Sequence, residues 1–170
     1  MKPTRPALTV LALVLAVSGC SRQFAVTVNN RSVYDPRLPA QLLQVVDSDL
    51  QGCINLAVQQ QGISNPAELT VLSCAAANVT DLEGIDQFRN LRFLDLAGNN
   101  FTDLRPLTSL PQLTGLSIPD NPVTDIAPLL SMESLTAVIL TGNVRIPCTQ
   151  LDRLEERLGS NLTRPATCRS

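Results

Sequence analysis

Hydrophobic residues recur through the middle of the chain with a period of 22 residues. Four blocks begin with leucine, at Leu69, Leu91, Leu113 and Leu135, and no insertion separates them. Positions four and six of each block are apolar as well. Alternation of this kind predicts a short β-strand with both side chains pointing to one side. A fixed period above about 20 residues is typical of a solenoid, whose units share one core with their neighbours.

Two polar positions repeat with the same period. Position nine follows the predicted strand at a sharp turn, and an amide there can bond backbone groups of neighbouring units, so we expect an internal ladder. Position thirteen supplies one carboxylate per unit beside proline and leucine. That is poor ligation for calcium, and the structural role of bonding the backbone N–H groups that follow is favoured. The residues are Asn99, Asn121 and Asn143 at position nine, and Asp81, Asp103 and Asp125 at position thirteen.

The pattern LxxLxLxxNx(I/V/F)xx(L/I) resembles the leucine-rich-repeat family. It is most similar to the 22-residue internalin-like class, which carries a TD(I/L)xPL segment, and the match spans residues 66–147. The resemblance implies an α/β fold, a short right-handed solenoid of about four coils with a parallel sheet on its concave side. Because the ends of such a core must be covered, we expect a cap at each end.

Two segments outside the repeats have helical spacing and are predicted to form these caps. In residues 40–62 the apolar positions run from Leu42 to Val58 and include Val46, and Gly62 is a stop signal. Residues 149–158 are amphipathic with leucines on one side. The folded part therefore divides into an N-terminal cap at 40–65, repeats at 66–147 and a C-terminal cap at 148–170.

The first residues have the parts of an export signal. A positive start is followed by an apolar run of about 11 residues, too short to span a membrane. The run ends in Val17-Ser18-Gly19-Cys20, which resembles the lipobox of bacterial lipoproteins. The resemblance implies that residues 1–19 are removed and that Cys20 is lipidated. An ordinary signal peptide or an uncleaved anchor is the alternative.

The residues after Cys20 bear on location. Aspartate in the next position retains such proteins at the inner membrane, whereas this chain has Ser21, which implies an outer-membrane destination with the domain facing the periplasm or the outside. Residues 20–39 have no helical period and are predicted to be a tether. Within the tether we expect a short strand from Phe24 to Val28 and a turn at Asn29-Asn30.

Composition removes several classes of function. A net charge of −2 and 3% aromatic residues leave no basic or stacking surface for nucleic acid. Histidine is absent, which excludes Ser–His and Cys–His catalytic pairs and histidine metal sites. Glu155 and Glu156 are adjacent on a predicted helix, so they point apart and are read as solvated. We expect a protein that is not an enzyme and that needs no cofactor or metal.

Five cysteines leave four once Cys20 is lipidated. Four cysteines allow three pairings, and export provides an oxidising compartment. In bacterial leucine-rich-repeat proteins a cysteine of the cap helix recurrently pairs with one in the first repeat, which implies Cys53–Cys74. The position in the solenoid then favours Cys148–Cys168, with each bond contributing roughly 3 kcal/mol. A redox or zinc role is disfavoured because no CxxC spacing exists.

The family resemblance implies that positions two, three, five and seven of each repeat face the concave side. Four short strands give this face roughly 300 Å², against about 800 Å² per partner in a standard interface. We expect a protein or peptide partner that binds weakly or also contacts the flanks. A structural accessory of an outer-membrane secretion, pilus or envelope assembly is the alternative. The candidate binding residues are Arg92, Phe93, Asp95, Ser117, Ile139 and Thr141.

Overall fold

The computed structural model describes residues 26–28, 31–34 and 44–168. The predicted signal peptide, Cys20 and the rest of the tether lie outside the described residues. In the tether, β1 (Val26–Val28) and β2 (Arg31–Tyr34) pair antiparallel. The sequence analysis predicts the first of these strands and misses the second.

Helix α1 (Ser48–Gln61) is shorter than the pattern predicts. It ends at Gly62, whose φ of 65° places it in the left-handed region, as its role as a stop signal requires. It begins only after Asp47, whose carboxylate accepts the N–H groups of the first turn. The expectation that Val46 lies on the apolar face of this helix is wrong. Val46 precedes the helix, is 65% exposed and donates its N–H to the carbonyl of Glu83.

Five parallel strands form one sheet in chain order. The first four begin at position three of successive repeats, so paired residues are 22 apart, as in Val71 opposite Phe93. A fifth strand after the repeats, which the sequence analysis does not predict, pairs with the fourth. The strands are β3 (Val71–Ser73), β4 (Phe93–Asp95), β5 (Gly115–Ser117), β6 (Ala137–Ile139) and β7 (Leu162–Thr163).

The chain returns between strands through short helical turns. In the first two repeats these are the 3-10 turns Ile85–Gln87 and Arg105–Ser109, and in the third it is α2 (Ala127–Leu130). Another 3-10 turn, Pro66–Glu68, comes just before β3. Helix α3 (Cys148–Leu158) follows the fourth repeat. The 3-10 turns Gly159–Asn161 and Ala166–Cys168 lie on either side of β7.

One continuous core runs through the repeats. The leucines at position one are at most 2% exposed, and all four belong to one cluster of buried side chains. Leu50 and Ile54 of α1 join this core, as do Leu151 and Leu154 of α3. None of the helices in the described part of the chain combines the length and apolar content that crossing a bilayer requires.

The predicted asparagine ladder is confirmed. The amide nitrogen of Asn99 donates to the carbonyl of Leu96 in its own repeat and to that of Cys74 in the preceding one, at 2.9 and 2.8 Å. Asn121 and Asn143 repeat this pattern one and two repeats later. Each of these side chains is buried, so the ladder satisfies backbone carbonyls that water does not reach.

Position eight adds a backbone feature that the hydrophobic pattern does not predict. Its residue has a positive φ in all four repeats, between 51° and 80°. Glycine adopts this conformation freely, whereas other residues are strained there by about 1–2 kcal/mol. The four residues are Ala76, Gly98, Asp120 and Gly142.

The aspartates at position thirteen have the structural role favoured above. Each carboxylate accepts the backbone N–H two residues on, from Glu83, Arg105 and Ala127 respectively. Asp103 also pairs with the guanidinium of Arg105, which lowers the pKa of Asp103 below its ordinary value. These bonds hold the start of each return segment.

At both ends of the repeats, disulfides and hydrogen bonds that do not recur with the 22-residue period hold the flanking segments in place. The disulfide Cys53–Cys74 joins α1 to the residue after β3, and Cys148–Cys168 ties the start of α3 to the chain beyond β7. These are the pairs that the sequence analysis favours. Asp47 accepts bonds from Thr80 and Asp81 in addition to those of α1.

Side chains of α3 contact the third repeat and β7. Gln150 bonds Asp125 and the N–H of Ile126, and Arg157 donates to carbonyls at the end of α2. Arg164 pairs with Asp152 and Glu155. Glu155 and Glu156 are both exposed, as predicted, and Glu155 in addition forms an ion pair with Arg164, which the sequence analysis does not predict.

Candidate functional site

The exposed face of the sheet gathers most of the predicted binding residues. In β3, β4 and β6 the middle residue is buried, and the residues on either side of it point away from the core. We call the outward residues of the first four strands the sheet surface. They are Val71 and Ser73, Phe93 and Asp95, Gly115 and Ser117, and Ala137 and Ile139.

Apolar side chains are concentrated on the sheet surface. Six large apolar residues are exposed among the described residues, and three of them, Val71, Phe93 and Ile139, belong to this small area. They are 46%, 42% and 39% exposed. Apolar groups that cluster at one place on an otherwise polar surface are typical of a site that another molecule covers.

The ring of Phe93 lies over the neighbouring strand. A Cβ added to Gly115 would come within 2.8 Å of Cδ2 of the ring, closer than carbon atoms approach. Glycine at position three of the third repeat therefore makes room for the ring to lie on β5. The result is an aromatic side chain that is supported from below and open above.

The two charged candidates on this face do not pair with each other. The carboxylate of Asp95 accepts the hydroxyl of Ser73 at 3.0 Å and the N–H of Ala97 at 3.2 Å. The guanidinium of Arg92 is exposed, and no described side chain or carbonyl accepts a hydrogen bond from it. The face thus offers one open cation, and its carboxylate is already engaged.

The remaining candidates differ in accessibility. Ser117, which the sequence analysis predicts to be a binding residue, is only 8% exposed and offers little surface to a partner. It stands in the sheet between Asp95 and Ile139, whose longer side chains flank it. Thr141 is exposed at the turn after β6, beyond the sheet surface, where its carbonyl accepts the N–H of Asp120.

Hydroxyl groups beside the sheet surface are bonded to the protein itself. Thr114 donates to the carbonyl of Arg92 at 3.0 Å, and Thr136 donates to that of Thr114 at 3.1 Å. The sequence analysis does not predict this pairing. Their recurrence at position two of the repeats is the signal that could have found it. The face is therefore more apolar than its residue names indicate.

The described residues contain no group of three or more cysteine or acidic side chains placed to hold a metal ion. The arrangement on the sheet surface is suited to contact, since it holds apolar groups on a backbone fixed by sheet bonds, and the exposed Arg92 precedes β4 next to it.

Solved structures similar to this chain are internalins. The internalin InlF from Listeria monocytogenes aligns with a TM-score of 0.60 and 30% identity, over 71% of this chain and 37% of that one. The internalin InlC2 from the same organism aligns with a TM-score of 0.58 and 27% identity, over 71% and 54%. The chain thus spans about a third to a half of these proteins. No protein-family profile matches it, and neither does any curated protein.

These neighbours agree with the architecture described above. Internalins are leucine-rich-repeat proteins, and one parallel strand per 22-residue repeat is what that fold requires. The internalin likeness and the parallel sheet fit a leucine-rich-repeat solenoid.

Proposed function

We propose that this chain is a lipid-anchored envelope protein whose leucine-rich-repeat domain binds a protein or peptide partner through the sheet surface. The observation that carries the binding proposal is Phe93, exposed on a rigid strand with its ring supported by Gly115. Aromatic and arginine side chains contribute much of the binding energy of protein interfaces, and the exposed Arg92 is the residue before Phe93 in the chain. In this proposal four repeats form the solenoid, α1 and α3 cap it, and no reaction is catalysed.

The proposed anchor rests on the lipobox-like segment that ends in Cys20 and on Ser21 after it. The two disulfides support an exported chain, since such bonds persist in oxidising compartments. Each acyl chain contributes about 0.8 kcal/mol per buried CH₂, so more than one chain on Cys20 makes a stable attachment. We therefore propose an outer-membrane location, with the domain in the periplasm or at the cell surface.

Mass spectrometry of the N-terminal peptide tests the anchor. We expect acyl chains on Cys20 and partition of the protein with the outer membrane, both lost in Cys20→Ser. Recovery of a chain that still carries residues 1–19, or of an unmodified Cys20 in the membrane fraction, contradicts the anchor. The binding proposal would survive that result.

A pull-down with matched variants tests the binding surface. Phe93→Ala removes the ring from the sheet surface, and Val144→Ala is the control because Val144 is 58% exposed but lies outside it. We expect at least a tenfold loss of partner binding, about 1.4 kcal/mol, for the first variant only. Equal binding by both variants would show that the sheet surface is not the contact.

The structural-accessory role is the second candidate. It is favoured by exposed apolar residues away from the sheet surface, namely Leu56 on α1 and Val144 after β6, since an accessory wedged among subunits contacts several faces. Photo-crosslinkers placed at positions 56, 93 and 144 in cells separate the two roles. Crosslinks from position 93 alone support the binding module, and stoichiometric crosslinks from all three support the accessory.

A further inference from the structure

We propose that the sheet surface receives a single amphipathic helix of the partner, laid across the strands, with an acidic side chain opposite Arg92. This inference rests on the proposed binding function of the same surface and names the shape and charge of what binds. Hydrogen bonding, dimensions and charge each support it.

Hydrogen bonding distinguishes a helix from an extended segment. Strands β4, β5 and β6 are each paired on both sides, so none has a free edge for another strand. The hydroxyls of Ser73, Thr114 and Thr136 already donate within the protein. An extended segment on this face would bury N–H and C=O groups without partners, at about 1–3 kcal/mol each. A helix bonds these groups internally and offers only side chains.

The dimensions of the sheet fit one helix. Each strand is about 10 Å long, which matches the diameter of a helix with its side chains. The four strands of the sheet surface, about 4.8 Å apart, span roughly 14 Å, the length of about ten helical residues. Ile139 on β6 lies two strands from Phe93 on β4, about 10 Å across the sheet, and two residues further along the strands, about 7 Å, which makes a diagonal of about 12 Å. Residues i and i+7 of a helix are about 10.5 Å apart, so a helix laid obliquely across the strands brings two such residues over both side chains. Each apolar group therefore meets the same stripe of the helix.

The charge of Arg92 predicts one further residue of the partner's helix. Asp95 keeps its negative charge, but its two oxygens already accept hydrogen bonds, whereas Arg92, the residue before Phe93, has no described acceptor and is free to pair with a carboxylate. An aspartate or glutamate within one turn of the residue that covers Phe93 would pair with it, and a lysine there would be repelled.

The test is a display library of random 16-residue peptides selected on the full chain. We expect the enriched peptides to carry apolar residues at i, i+3 or i+4, and i+7, with an acidic residue within one turn. We expect synthetic copies to gain helical circular dichroism on binding. On Arg92→Glu the acidic preference should change to lysine or arginine while the apolar spacing stays. On Phe93→Ala enrichment should fall at least tenfold, and on Val144→Ala it should not change.

Three results overturn the inference. They are alternating or proline-rich spacing among the enriched peptides, a charge preference that Arg92→Glu leaves unaltered, and no enrichment at all. The proposed binding function is judged separately by the crosslink from position 93 in cells. If that crosslink forms while the selected peptides are extended, the surface binds a partner of another shape. If it does not form, the proposed function fails as well.

Discussion

One carboxylate joins α1 to the first repeat, and its removal should lower the stability of the whole domain. Oδ1 of Asp47 accepts the N–H groups of Asp49 and Leu50, both at 2.9 Å. Oδ2 accepts the N–H and the hydroxyl of Thr80 at 2.8 and 2.9 Å and the N–H of Asp81 at 3.2 Å. The side chain is 8% exposed, so these donors would lose their partner where water has little access.

Two substitutions separate the two halves of this arrangement. Asp47→Ala removes the hydrogen bonds of both carboxylate oxygens and should lower the free energy of unfolding by about 3 kcal/mol. About 1 kcal/mol of this is the lost helix cap, and about 2 kcal/mol comes from donors that lose a charged acceptor. Asp47→Asn keeps an oxygen for α1 but turns an NH₂ group toward the donors of Thr80 and Asp81, and should cost about 2 kcal/mol.

Urea unfolding at pH 7, followed by far-ultraviolet circular dichroism with both disulfides intact, measures these differences. Asp86→Ala is the matched control, since Asp86 is exposed and no described donor bonds its carboxylate. The control should stay within about 0.5 kcal/mol of the parent. If Asp47→Asn unfolds at the urea concentration of the parent, the bonds to Thr80 and Asp81 contribute nothing and the reasoning is refuted.

The same carboxylate predicts a pH dependence. Burial alone would raise the pKa of Asp47, but the hydrogen bonds from Leu50, Thr80 and Asp81 outweigh it and hold the pKa below its ordinary value. A lowered pKa in the folded state means that the contribution is complete above the unfolded pKa, near 4, and is lost as the pH falls through the folded pKa. The difference between the parent and Asp47→Asn should therefore shrink below about pH 4. A constant difference contradicts the assignment.

Three further predictions concern backbone positions. Gly142→Ala should lower the free energy of unfolding by about 2–4 kcal/mol, because φ is 80° and the new Cβ would lie 2.0 Å from Oδ1 of Asp120. Gly98→Ala, whose Cβ would make only ordinary contacts, should lower it by about 1 kcal/mol. Equal thermal midpoints for the two variants would contradict this prediction. Ala76→Gly should stabilise by roughly 0.5–1 kcal/mol, since φ is 51° there, and a lower urea midpoint would be the contrary result. Gly115→Ala should displace the phenylalanine ring above it and weaken partner binding several-fold with little change in the unfolding midpoint, and undiminished binding would count against the supported ring.

The sequence predicts those structural features that recur once in every repeat. Strand positions, the buried leucines and the asparagine ladder all arise from contacts between residues about one period apart, so the pattern that places one places the others. Contacts between residues that are not one period apart cannot be predicted from the repeat pattern. Asp47 meets Thr80 across 33 residues, and β7 has only two residues with no pattern of their own. It is a strand because the outer edge of β6 is open to pair with it.

For the candidate site, the sequence identifies the exposed positions but not their surroundings. Phe93 and Ile139 are exposed as expected, because alternation along a strand decides which side they face. The burial of Ser117 depends on neighbours in two other strands, and the engagement of Asp95 depends on Ser73 one repeat earlier. Such properties belong to pairs of residues, and a periodic pattern of single positions does not contain them.

The asparagine ladder has a consequence for how the domain can change in length. Every rung joins a repeat to the one before it over the same 25 residues, and every strand pair between repeats has the same offset of 22. The hydrogen bonds that Asp47 and Gln150 form with the repeats lie outside the junction of the second and third repeats. A duplicated unit inserted there would find its partners already in register on both sides. Duplication of a repeat would therefore lengthen the sheet surface, while the segments before and after the repeats stay unchanged.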